Sequence, residues 1–183
     1  MKLIEEPMAG VKLVETTPFA DDRGSFTETF NRAKMAAIGI DHEFVQDNES
    51  LSVAPGTIRG LHLQLAPHAQ GKLVRVLSGS ILDVAVDFRP DSPTYKQHCS
   101  VTLEADDALA FWVPPGFGHG FCTLEPSTIV AYKVTALYAP EADRSVRWND
   151  SALGIDWPVA DSGAVLSAKD AAAPLLADIE GEL

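Results

Sequence analysis

Short runs in which apolar and polar residues alternate, or in which β-branched residues crowd together, recur along most of this 183-residue chain. A period of two puts successive side chains on opposite faces of a strand. The runs predict strands at Val11–Glu15, Ser25–Phe30, His42–Asn48, Leu73–Leu77, Ile81–Phe88, Lys96–Leu103, Leu109–Val113, Gly120–Thr123 and Thr128–Val134. Turn-forming clusters such as Asp22-Arg23-Gly24, Ser78-Gly79-Ser80 and Pro114-Pro115-Gly116 separate them. Helical signals are few. Asn31–Gly39 has an N-cap asparagine and a C-terminal glycine. Ala164–Leu176 predicts one or two short helices broken by Pro174. So many short strands predict an all-β sandwich or barrel, in one domain spanning residues 1–183, rather than a parallel α/β sheet.

The same parity sorts the polar residues. In Arg59-Gly60-Leu61-His62-Leu63-Gln64, read as a strand, His62 and Gln64 share one face and the leucines the other. Lys72, Val74 and Val76 share a face, as do Asp83, Ala85 and Asp87. This predicts a polar cavity holding His62, Gln64 and Lys72 inside the barrel.

Charge sharpens the picture. The chain carries 26 Asp and Glu against 14 Lys and Arg, a net charge of −12. That balance argues against nucleic-acid or anionic-membrane partners. Yet no acid occurs between Ser50 and Leu82, where Arg59, Lys72, Arg75, His62 and His68 lie. A region cleared of anions suits a phosphate-bearing small molecule. No leader-like or membrane-length apolar run appears. Cys99 and Cys122, both in apolar strand-like runs, read as reduced core thiols of a cytoplasmic protein, with one disulfide as the alternative.

The run from Gly60 to Gly79, with Pro115-Gly116-Phe117-Gly118-His119, resembles the two motifs of the cupins. Metal-binding cupins offer His-x-His, a glutamate and a later histidine. Here Gln64 replaces the second histidine, Gln70 lies near the glutamate position, and His119 alone follows. Two neutral amides make a poor transition-metal site, so no metal is expected. The chain resembles more closely a metal-free branch, the dTDP-4-dehydrorhamnose 3,5-epimerases. The resemblance rests on Phe19–Phe30, Phe44–Ser50, Gly56–Gln64, Pro67–Val76, Asp83–Arg89, Pro115–Phe121, Tyr132-Lys133-Val134, Tyr138–Glu141, Arg147–Asp150, Gly154–Pro158 and Ser167–Asp170, in order over nearly the whole chain. Glu49 departs from it, standing where the family usually has histidine.

The resemblance implies a cupin-like jelly roll (a double-stranded β-helix) and a cofactor-independent isomerase acting on a dTDP-4-keto-6-deoxy sugar. His62 would be the base, oriented by Asp170. Lys72 would stabilise the enolate oxygen, and Tyr132 would donate the proton from the other face. Arg23 and Arg59 would meet the diphosphate. Phe26 would stack on or pack near the base and Glu28 would accept from its N–H. Gln46 and Asn48 would offer amides, and Tyr138 would also contact substrate. His119 would either contact substrate or serve structurally. The resemblance further implies a homodimer in which the Arg23–Glu28 segment reaches the partner's site. Asp170 is expected to meet His62 while the diphosphate end stays free of acids. Two other readings remain at this stage: a mono-epimerase inverting C3 or C5 alone, and a non-catalytic cupin that binds nucleotide sugars.

Overall fold

The computed structural model describes all residues, Met1–Leu183. Its strands are β1 (Lys2–Met8), β2 (Val11–Glu15), β3 (Pro18–Asp21), β4 (Gly24–Thr27), β5 (Gln46–Ser52), β6 (Ile58–Gln64), β7 (Lys72–Ser78), β8 (Ser80–Asp87), β9 (His98–Glu104), β10 (Leu109–Val113), β11 (Phe117–Thr123), β12 (Thr128–Val134) and β13 (Asp143–Ser145). Three short α-helices complete it: α1 (Arg32–Ala37), α2 (Ala168–Ala171) and α3 (Leu176–Ile179). One sheet runs β1-β2-β10-β7-β12-β5 and the other β13-β6-β11-β8-β9, while β3 and β4 form a separate hairpin. All the strand pairs are antiparallel. The all-β, cupin-like expectation holds.

Alternation explains the layers. Strand β8 sends Ile81 and Ala85 into the core between the sheets, with Val74, Val76, Phe111 and Val130 from the opposite sheet. Its other face gives Val84 and Val86 to an outer layer with Trp148, Leu153, Trp157 and Leu176 from the C-terminal segment. That segment is tied down by polar bonds: Trp157 Nε1 donates to Trp148 O at 2.8 Å, and the Leu176 N–H to Asp150 Oδ2 at 2.7 Å. A third cluster seats Met35 of α1 on Trp112, Leu73 and Val14, outside the first sheet.

Several boundaries differ from the sequence reading. Strand β5 is shifted from His42–Asn48 to Gln46–Ser52, because Phe44 leaves the strand path to pack edge-on against Phe30 and Trp112. Strand β1 has one buried residue and Pro7 within it, so it shows no alternation. Strand β13 is three polar residues. The predicted Ser25–Phe30 strand is β4, ending at Thr27 and paired with the unpredicted β3. Helix α1 follows its signals: Asn31 Oδ1 accepts from the Lys34 N–H at 3.2 Å, and Gly39 takes φ +80° just past the end. Cys99 and Cys122 are free thiols on β9 and β11, either side of β8, so the disulfide alternative is set aside. No helix is long and apolar enough to cross a membrane.

Candidate active site

The site lies between the sheets, in a cavity of about 360 Å³ lined by Gln46 and Asn48 of β5, His62 and Gln64 of β6, Lys72 of β7 and Tyr132 of β12. Each set follows strand parity, as the sequence predicted. One irregularity matters. Pairing between β6 and β11 slips between His119↔His62 and Phe121↔Arg59, so Arg59 joins His62 on the inner side despite opposite parity. Gly60 permits the slip: it takes φ +142°, and a Cβ there would strike the Gly120 backbone.

His62 Nε2 lies 2.5 Å from Asp170 Oδ1. Asp170 is 3% exposed, and Ser167 fixes it twice. The Ser167 hydroxyl donates to Oδ2 at 2.8 Å and accepts the Asp170 N–H at 3.1 Å, capping α2. Burial alone would raise the Asp170 pKa, but the bond to His62, that ring's charge, Ser167 and Lys169 together hold it below the usual carboxylate range. With Nε2 taken by the carboxylate, Nδ1 is the ring nitrogen left for a substrate proton.

Lys72 Nζ donates to the His62 carbonyl at 3.2 Å. Burial drives its pKa down to about 8, against the opposing pull of Asp143 and Asp83. Tyr132 approaches from the other sheet. Burial raises its pKa, while the Arg59 guanidinium works the other way. Arg59 itself reaches across to β5, donating to Ser52 Oγ at 3.2 Å and Leu51 O at 3.1 Å. Gln46 Nε2 donates to Asn48 Oδ1 at 2.7 Å, leaving the Asn48 amide N–H groups for a ligand.

Tyr138, beyond the end of β12, also lines the cavity, and its hydroxyl donates to Asp143 Oδ2 at 3.2 Å. Asp143 and Lys169 line the cavity as an ion pair that the sequence reading missed. Asp143 lies on a three-residue polar strand with no pattern to mark it. Lys169 had one cue, its place beside Asp170. Asp170 meets His62 as expected, and Asp143 is the acid that lines the cavity itself. Asp143 is matched there by Lys169.

Four other predicted residues lie apart. His119 sits opposite His62 in register, but its Nε2 contacts the fully buried Asp83 Oδ1 at 2.6 Å, and it lines the core rather than the cavity. Arg23, Phe26 and Glu28 do not reach this cavity within one protomer. Arg23 pairs with Asp21 at 2.5 Å, Phe26 is 71% exposed on the hairpin, and Glu28 pairs with Lys34 at 2.7 Å. No cluster of three or more His, Cys, Asp or Glu is arranged to hold a metal.

Such a cavity can remove a proton from one side of a flat substrate and return one from the other, with an ammonium between. Comparison with known proteins agrees. Residues 5–178 match the family model described as dTDP-4-dehydrorhamnose 3,5-epimerase. A protein of that name from Sinorhizobium fredii is 48% identical over 176 residues, which cover 94% of this chain and 88% of the relative. The crystal structure of dTDP-4-dehydrorhamnose 3,5-epimerase from Bacillus anthracis with TDP and PPi bound is 51% identical, with a TM-score of 0.93 over 96% of this chain and 99% of that one. A Legionella pneumophila dTDP-6-deoxy-D-glucose-3,5-epimerase, solved in complex with dTDP-4-keto-L-rhamnose, is 43% identical, with a TM-score of 0.93 over 99% of this chain and 95% of that one.

Proposed function

This chain belongs to the dTDP-4-dehydrorhamnose 3,5-epimerase family, and from that premise we propose how its own residues invert C3 and C5 of dTDP-4-dehydro-6-deoxy-D-glucose, giving dTDP-4-dehydro-L-rhamnose. The C4 ketone acidifies the hydrogens on both neighbouring carbons. His62 takes a proton through Nδ1, the nitrogen left by the Asp170 bond, and the buried carboxylate stabilises the imidazolium. The electron pair moves to the C4 oxygen, where Lys72, mostly protonated at neutral pH, offsets the charge. Tyr132 then gives its phenolic proton to the opposite face of the carbon. That leaves an imidazolium and a phenolate, which exchange protons with solvent before the second centre reacts.

The observation that carries this reading is that His62 and Tyr132 enter one cavity from opposite sheets. A flat enolate held between sheets has one group on each face. A silent nucleotide-sugar binder has no need of a cavity histidine paired with a buried aspartate.

Lys169, which lines the cavity, and Arg59, which reaches from β6 across to β5, are the cations offered to the diphosphate, and Tyr138 offers a flat surface to the base. Arg23, Phe26 and Glu28 act on a partner subunit. A two-stranded hairpin is marginal alone. Here Phe19 and Phe26 stand opposite each other in it, 65% and 71% exposed, and burying each would contribute about 2 kcal/mol. The outer face of the first sheet adds exposed Leu51 and Leu77. A homodimer that covers both supplies the missing contacts. Free thiols fit a cytoplasmic location.

Incubation with dTDP-4-dehydro-6-deoxy-D-glucose in D2O tests the function. The expected result is deuterium at both C3 and C5. Deuterium at one carbon would select a mono-epimerase, and at neither would refute epimerisation.

A further inference from the structure

The segment after β12, Thr135–Ala139, joins no strand and places Tyr138 at the cavity, and two glutamine side chains hold it. Gln64, 4% exposed, donates from Nε2 to Leu137 O at 3.2 Å and His68 O at 2.7 Å, and its Oε1 accepts the Ala139 N–H at 2.8 Å. The residues on either side of Tyr138 are thus fixed by one amide. Gln70 Nε2 donates to Ala136 O at 2.7 Å. Beside it, the Gly71 N–H donates to Thr135 Oγ1 at 2.8 Å, and the Thr135 N–H returns to Gly71 O at 3.1 Å.

We propose that Gln64 and Gln70 are positioning residues: amide staples that fix the Thr135–Ala139 strap and thereby set Tyr138 against the nucleotide. The chemistry at Gln64 requires a primary amide. Two carbonyls need donors and one N–H needs an acceptor, all from one group. Imidazole offers one donor and one acceptor, and a carboxylate offers no donor. Tyr138 has little else to hold it, being 58% exposed with one hydroxyl bond to Asp143. Without the staples, the strap's carbonyls lose partners and the ring loses its fixed direction. The inference rests on the reading that Tyr138 contacts the nucleotide.

The test is a double-mutant cycle read by calorimetry with dTDP alone, using Gln64→Leu, Tyr138→Ala and both together. Loss of an aromatic stacking surface should weaken dTDP binding about 5- to 100-fold in Tyr138→Ala. Gln64→Leu should weaken it in the wild-type background and have no further effect in the Tyr138→Ala background. Gln64→Glu, which keeps the Ala139 acceptor but lacks donors, should behave like Gln64→Leu. If Gln64→Leu does not fold, Gln70→Leu, which removes one bond, enters the same cycle. Equal losses in both backgrounds, or wild-type affinity in Gln64→Leu and Gln64→Glu, would overturn the staple role while leaving Tyr138 as a nucleotide contact. Unchanged affinity in Tyr138→Ala would instead overturn the reading of Tyr138, and the staple role with it.

Discussion

Asp170→Asn isolates the orientation of the base. The Ser167 hydroxyl accepts the residue-170 N–H and donates to Oδ2, so its direction is set. An asparagine therefore places its carbonyl oxygen at the Oδ2 position and its NH2 where Oδ1 now meets His62 Nε2 at 2.5 Å. The amide donates, so Nε2 must accept, and the ring proton moves to Nδ1, the nitrogen otherwise left for a substrate proton. The base is then blocked rather than displaced. Where a histidine base is held in the wrong tautomer, rates fall about 10³–10⁴-fold, roughly 4–5.5 kcal/mol of barrier. The assay is proton NMR of deuterium uptake at C3 and C5, with dTDP affinity measured in parallel. Uptake should fall by at least three orders of magnitude while dTDP binds within about twofold, because Asp170 lies behind His62. A loss of less than about tenfold would refute the tautomer argument. An equal loss of dTDP binding would show that Asp170 acts through the shape of the site.

Other outcomes follow from the same geometry. Lys72 must be protonated to offset the enolate, so kcat/KM should fall above pH about 8, and Lys72→Arg should lose activity but move that alkaline limb upward. The folded pKa of Lys72 lies below its unfolded value, so its charge opposes folding at neutral pH and the penalty fades between about pH 8 and 10.5; Lys72→Met should raise Tm at pH 7. Ser167→Ala removes the cap of α2 and one bond to Asp170, and should cost about 1 kcal/mol of stability together with a drop in exchange rate, read by melting and NMR. Phe26→Asp should shift the protein toward monomer in sedimentation experiments; an unchanged assembly would remove the hairpin from the interface.

The sequence marked strands where one face is buried and the other differs. Thr128–Val134 was placed to the residue for that reason, and Leu109–Val113, buried on both faces, by its continuous apolar run. It failed where tertiary contacts, not alternation, set the chain path. Strand β1 is exposed on both faces, and Phe44 is drawn from the strand by Trp112. In the site, His62, Gln64 and Lys72 were visible because parity and the lack of acids group them, whereas Gln46 and Asn48, flanked by Asp47 and Glu49, came from resemblance. The His62–Asp170 pair spans 108 positions and came from resemblance. Asp143 and Lys169 were hidden because a three-residue polar strand and a one-turn helix carry no period. Arg59 reaches toward β5, against its parity, because the slip at Gly60 depends on the backbone of β11.

The central claim is that proton removal and return occur on opposite faces through different groups. Tyr132→Phe, incubated with substrate in D2O and followed by NMR, tests it directly. His62 should still exchange protons on its own face, so deuterium should enter recovered substrate with configuration retained, while inverted product falls about 10²–10⁴-fold. Inverted product forming at near the wild-type rate would contradict the account.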